Sequence, residues 1–313
     1  GPDDDVCTSP VYTLQGNTPA SGTGKWTQDV SNPAGATFAN ITNPNTTVNG
    51  LAPGVYRFIW TITASATCPP STSTVKITID APPVGGTTAG IATVCSGDNN
   101  GQIALSGQVG TVKEWQSSTD GVNYFPLASA GTGTTMTYTQ LTQTTFYRAV
   151  VTNGTVCPDV FSTPTKITVN PTTPLANAGP DQGICNQNYA DMVGNDPGPL
   201  FSGVWTQTLG PAVTIVNPND PHTRITGLTR GSAYTFKWTI IGLAPCGNTE
   251  DLVNISATSD VIPSFTMDQN HNCGNLTVNF TNTSTPSPTG TFVWDFGDGS
   301  PVVTAVNPPP HTF

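Results

Sequence analysis

Tyr56-Arg57-Phe58-Ile59-Trp60-Thr61-Ile62 reads as a β-strand with Tyr56, Phe58, Trp60 and Ile62 on one face, because successive strand side chains point to opposite sides. The string returns as Tyr234-Thr235-Phe236-Lys237-Trp238-Thr239-Ile240, and Phe146-Tyr147-Arg148-Ala149-Val150-Val151 is a looser third copy. Large apolar residues on alternate positions belong in a core between two sheets, not on a ligand platform.

Around these strands the chain repeats. Cysteines stand at Cys7, Cys68, Cys95, Cys157, Cys185, Cys246 and Cys273, and those that open successive repeats, Cys7, Cys95, Cys185 and Cys273, are 88, 90 and 88 residues apart. A tryptophan, Trp26, Trp115 or Trp205, follows each of the first three by 19 or 20 residues. Cys, Trp, Cys over some sixty residues is the spacing of Ig-like β-sandwiches. Lys25-Trp26-Thr27-Gln28 parallels Val204-Trp205-Thr206-Gln207, and Asn43-Pro44-Asn45 parallels Asn217-Pro218-Asn219. The repeat therefore predicts an all-β chain of tandem Ig-like β-sandwich domains over residues 1–81, 82–171 and 172–259, with 260–313 beginning a fourth. Trp26, Trp60, Trp115, Trp205, Trp238 and Trp294 are the expected core aromatics. Ala81-Pro82-Pro83-Val84, Pro171-Thr172-Thr173-Pro174 and Asp260-Val261-Ile262-Pro263 read as short, semi-rigid linkers.

Composition agrees. Charged residues make up 9% of the 313-residue chain, too few to lace helices with ion pairs, while 32 Gly and 29 Pro supply turns. The net charge of −10 argues against an anionic membrane surface as partner and effectively excludes nucleic acid, since both select basic patches. The sequence has no apolar run long enough to span a membrane. It opens on Gly1-Pro2-Asp3-Asp4-Asp5 with no signal peptide, so a processed or excised piece is expected.

The spacing suggests that each complete repeat is closed by its own disulfide: Cys7 with Cys68, Cys95 with Cys157, and Cys185 with Cys246. Each bridge would tie the N-terminal strand to the last hairpin loop, stabilise by roughly 4 kcal/mol in the chain-entropy model, and imply an oxidising compartment. Cys273 is expected to be left unpaired because the chain stops at Phe313. Zinc is disfavoured, since no two cysteines have ligand-pair spacing and there are 3 His.

Val293-Trp294-Asp295-Phe296-Gly297-Asp298-Gly299-Ser300, followed by Pro310-His311-Thr312-Phe313, resembles the signature of the PKD domain, an Ig-like sandwich of surface proteins. Ala176-Asn177-Ala178-Gly179-Pro180-Asp181-Gln182, the Trp-Thr-Gln motif, and Trp115-Gln116-Ser117-Ser118-Thr119-Asp120-Gly121 with Thr144-Thr145-Phe146-Tyr147-Arg148 resemble repeats of giant secreted adhesins and gliding-motility surface proteins of Bacteroidota-type bacteria. The resemblance implies an extracellular, cell-surface location and a structural or adhesive role. The implied partners are surface glycans, other cell-surface proteins, or further copies assembled into fibres. The competing reading is an accessory spacer or carbohydrate-binding region of a secreted polysaccharide-degrading enzyme.

Asp295 and Asp298 admit three readings: tight-turn residues beside Gly297 and Gly299, a calcium loop, or a glycosidase carboxylate pair. The turn is favoured, because adjacent turn residues rarely set two carboxyls across a cleft. Asp3-Asp4-Asp5 admits a solvated terminus or a calcium site at a domain junction. No nucleophile elbow, zinc-protease helix or phosphate loop occurs, so the chain is expected to be non-enzymatic and to need no cofactor.

Overall fold

The computed structural model of the protein describes residues 1–64, 68–185, 187–259, 261–271, 274–285 and 291–313. Cys273 and Asp260 lie outside the described residues. The chain divides into two compact units, Gly1–Thr172 and Thr173–Phe313.

In the first unit, the first repeat faces a four-stranded sheet with a three-stranded one. The four-stranded sheet runs Asp4–Cys7, Ser71–Asp80, Gly54–Thr63, Thr23–Gln28, and the three-stranded sheet runs Val11–Thr13, Thr47–Asn49, Thr37–Phe38. The alternation in Gly54–Thr63 is realised: Tyr56, Phe58 and Trp60 are buried against Trp26, Val48, Val75 and Ile77. Trp26 pairs directly with Trp60 across the two strands, their ring centroids 5.0 Å apart. The Tyr56 hydroxyl accepts a hydrogen bond from Ala52 N at 2.9 Å and donates to Ala52 O at 3.1 Å. A tyrosine at the start of this strand bonding back to the preceding backbone is the tyrosine corner of Ig-like sandwiches.

The second repeat packs Thr135–Thr139, Asn100–Ser106 and Thr87–Gly90 against a larger sheet ordered Phe125–Pro126, Thr111–Ser118, Thr145–Thr152, Thr165–Asn170, Thr93–Cys95. Here Trp115 stands opposite Ala149 instead of a second tryptophan, and stacked Tyr138 and Tyr147 fill the space. Thr145 takes the corner position, its hydroxyl donating to Gln143 O at 2.9 Å.

In the second unit, the third repeat repeats the plan of the first. Its sheets run Gln182–Ile184, Thr249–Ala257, Ser232–Ile241, Ser202–Leu209 and Tyr189–Asp191, Arg224–Thr226, Thr214–Ile215. Trp205 pairs with Trp238 at 5.0 Å, and the Tyr234 hydroxyl accepts from Thr229 N at 2.7 Å. Among the described residues of the remaining segment, Phe265–Met267 pairs with Phe280–Asn282, Thr277–Val278 with His311–Thr312, and Val293–Trp294 with Val303–Thr304. Trp26, Trp60, Trp115, Trp205 and Trp238 are all buried, each at most 3% exposed. Trp294 is half-buried and lines an open apolar cleft of about 450 Å³ with Phe265, Phe280 and Phe313.

Candidate functional site: the covalent junction of the first two repeats

Asp4–Cys7 runs parallel to Ser71–Asp80, with Val6 opposite Ile79 and Cys7 opposite Asp80. Parallel strands in this register end at the same pole of the sandwich, the one where the chain leaves through Ala81-Pro82-Pro83. Three successive acids anchor the strand. Asp3 Oδ1 accepts from Lys76 N at 2.8 Å, Asp4 Oδ2 accepts from the Tyr12 hydroxyl at 2.8 Å, and Asp5 Oδ2 accepts from the Thr155 hydroxyl at 3.2 Å.

Burial and the Asp4 carboxylate push the Tyr12 phenol up to about 12. Its folded-state value thus lies above the ordinary 10, so its contribution to stability is complete below pH 10 and is lost as the pH rises through 12. An absorbance titration should show a phenolate step near pH 12 that disappears in Tyr12→Phe and moves toward 10 in Asp4→Asn. An unmoved step in Asp4→Asn would remove the carboxylate from the explanation.

The second repeat contributes the loop between Thr145–Thr152 and Val160–Phe161. Asn153 Nδ2 donates to Ala81 O at 2.8 Å, carrying the loop onto the linker. Gly154 follows with φ +69°, and a Cβ there would overlap the Asp80 carboxylate. The positive φ favours glycine, and a larger residue would also have to push the Asp80 carboxylate aside. The loop then brings Cys157, buried, to a Cα separation of 4.8 Å from Cys7, and the two form a disulfide. Gly154→Ala is expected to weaken the junction by about 1–3 kcal/mol through strain and displacement of Asp80. The measurement is the unfolding midpoint of the 313-residue chain in urea; an unchanged midpoint would show the contact to be incidental.

This geometry corrects all three pairings expected from spacing. Cys7 bonds Cys157, not Cys68, and Cys157 is therefore not the partner of Cys95. Cys185 is free and exposed while Cys246 is disulfide-bonded, so those two are not joined either; Cys68 is free and exposed, and Cys95 is disulfide-bonded. The reason is the length of the last strand. Cys7 sits level with its final residue, Asp80, and Cys68 lies before its first, Ser71. Ten residues at about 3.3 Å each separate the two cysteines by roughly 30 Å, far beyond the roughly 4.4–6.8 Å Cα span of a disulfide.

The acids considered for calcium have other partners. Asp295 Oδ1 accepts from Gly297 N at 3.0 Å and Asp298 Oδ1 from Ser300 N at 3.0 Å, as turn residues do. Asp298 Oδ2 also meets His311 Nε2 at 2.8 Å, and the Ser300 and His311 contacts hold the Asp298 carboxyl well below the ordinary carboxylate range. Among the described residues no group of three or more His, Cys, Asp or Glu is placed to hold a metal ion.

The sequence did not single out Asn153 and Gly154. The Asn-Gly dipeptide is a tight-turn signal, but nothing in it says what the turn will touch.

A family model described as Domain of unknown function (DUF8696) matches residues 84–171. No curated protein matches the chain. Among solved structures, a three-Ig-domain fragment of titin carrying Glu-to-Ala changes is similar with a TM-score of 0.53 at 11% identity, covering 82% of this chain and 95% of that one. A second I-band fragment of titin gives 0.50 at 12% identity with the same coverage. Immunoglobulin domains 1–5 of Sidekick-1 align over 98% of this chain and 69% of that one at 12% identity, with a TM-score of 0.36. Among the described residues no helix is long and apolar enough to cross a membrane. The sheet pairs, the tyrosine corners and the titin likeness together establish the chain as a tandem of Ig-like β-sandwiches.

Proposed function

We propose that the chain is a non-enzymatic, extracellular structural segment whose task is to transmit tension between other parts of a cell-surface protein. The observation that carries this reading is the bond from Cys7 to Cys157. Force entering at the N-terminal strand crosses directly to the second repeat, so the residues between the two cysteines carry no tension while the bond holds. The first sandwich is thereby shielded from being pulled open. Disulfides of this kind need an oxidising compartment, which supports the extracellular placement. The adhesin and PKD resemblances support attachment at a cell surface and binding to other surface proteins or glycans through the exposed faces of the repeats.

The test is single-molecule stretching of the 313-residue chain held at both ends. The cysteines are 150 residues apart, and an extended residue spans about 3.3–3.6 Å, so reduction should lengthen the fully extended chain by at least about 500 Å. Equal extended lengths with and without reductant would refute a role in bypassing force.

A further inference from the structure

The three complete repeats place their cysteines in equivalent positions, although the cysteines differ in bonding. Cys7 stands opposite Asp80, one residue past the pair Val6 and Ile79. Cys95 stands opposite Asn170, one residue past the pair Val94 and Val169. Cys185 follows the pair Ile184 and Ala257, and its Sγ lies 2.7 Å from Thr258 Oγ1. All three therefore end the parallel strand at the exit pole of their sandwich. The second set is just as regular. Cys68, Cys157 and Cys246 each lie five residues past the end of the preceding long strand, at Thr63, Thr152 and Ile241. That loop is at the entry pole, the end of its own sandwich opposite the exit-pole cysteine.

The bond between Cys7 and Cys157 joins an exit-pole cysteine to the entry-pole loop of the next repeat. Cys95 and Cys246 are also bonded; Cys68 and Cys185 are free and exposed. We infer that the bond between Cys7 and Cys157 is one rung of a ladder, and that Cys68 and Cys185 are further rung positions. Cys185 takes the entry-loop cysteine of an Ig-like repeat on its C-terminal side, and Cys68 takes the exit-pole cysteine of one on its N-terminal side. The partner is thus a thiol on a repeat of this same design, supplied in the same polypeptide or by a second copy.

The chemistry is thiol–disulfide exchange with a small-molecule disulfide such as oxidised glutathione. The Cys185 thiolate attacks one sulfur of that disulfide and expels one thiol, leaving a mixed disulfide. The entry-loop thiolate then attacks Cys185 Sγ and expels the second thiol. Two protein thiols are oxidised, one small disulfide is reduced to two thiols, and the two protons pass to the released thiolates.

The test is disulfide mapping of the polypeptide isolated from the cells that make it, with free thiols alkylated at harvest. The expected result is the Cys185 peptide linked to a cysteine in an entry loop, five or so residues past a strand of alternating large apolar residues. Linkage within a monomer on a non-reducing gel identifies a repeat in the same polypeptide. Linkage to the Cys68 peptide in a disulfide-bonded multimer identifies a second copy. Loss of the linked species in Cys185→Ser confirms the assignment in either case. Alkylated Cys185, a glutathione adduct, or a bond to a cysteine outside an entry loop would overturn the ladder. The tension-transmitting role would survive such a result, because it rests on the bond between Cys7 and Cys157 and is read by extension.

Discussion

Digestion of the unreduced chain with trypsin is expected to release peptide 1–25 covalently joined to peptide 149–166. These carry Cys7 and Cys157 and are bounded by Lys25, Arg148 and Lys166. A bond inside the first repeat would instead join 1–25 to 58–76, which carries Cys68, so one mass spectrum separates the two connectivities. Closing a loop across 150 residues stabilises by about 5 kcal/mol in the chain-entropy model. That figure applies when both repeats unfold together; while the second stays folded, the effective loop is shorter and the effect smaller. Cys157→Ser should therefore lower the stability of the first unit by up to about 5 kcal/mol. It should also separate the unfolding of the first two repeats in denaturant, which the bond otherwise couples. A Cys157→Ser chain that unfolds like the parent would show that the junction's polar contacts, not the bond, hold the two repeats together.

The fold was legible in the sequence because its signals are local and repeated. The strand at Tyr56 carries its own period, and its copies at Phe146 and Tyr234 confirm that period independently. Trp26 and Trp205 each announce the strand that pairs with it. The junction was less legible. Cysteine spacing fixes where the sulfurs fall along the repeat, but pairing depends on which pole each occupies. That information was partly present: a strand follows each second cysteine, and its length separates the two cysteines of one repeat. What the sequence did not reveal is that the N-terminal strand adds in parallel to that last strand, which sends Cys7 to the exit pole. Once that is known, the next repeat's entry loop is the nearest partner. The contacts of Asn153 and Gly154 lie further out of reach, since an exposed turn carries no pattern that names the linker it will touch.

A ranking of tryptophan substitutions in the third repeat follows from the same packing. Trp205 and Trp238 are both fully buried and in contact, yet only Trp205 Nε1 has a partner among the described residues, donating to Pro221 O at 3.3 Å. Trp238→Ala should cost about 3–5 kcal/mol, because it opens a large cavity beneath Tyr234 and Phe236. Trp238→Phe should cost much less. It retains most of the ring and removes a buried donor that already carries a desolvation penalty of about 1–3 kcal/mol. Trp205→Phe should cost more than Trp238→Phe, since it sacrifices a made hydrogen bond as well as volume. The close packing gives a second check through Gly203, where a Cβ would overlap the Trp238 ring. Gly203→Ala alone should destabilise by about 1–3 kcal/mol through overpacking. Added to Trp238→Phe, whose smaller ring leaves room for the methyl, it should cost markedly less, a positive coupling readable in a urea double-mutant cycle. Additive effects would show that the ring of Trp238 is not what excludes a side chain at Gly203, and a Trp205→Phe chain more stable than Trp238→Phe would show that the unpartnered Trp238 nitrogen carries no penalty.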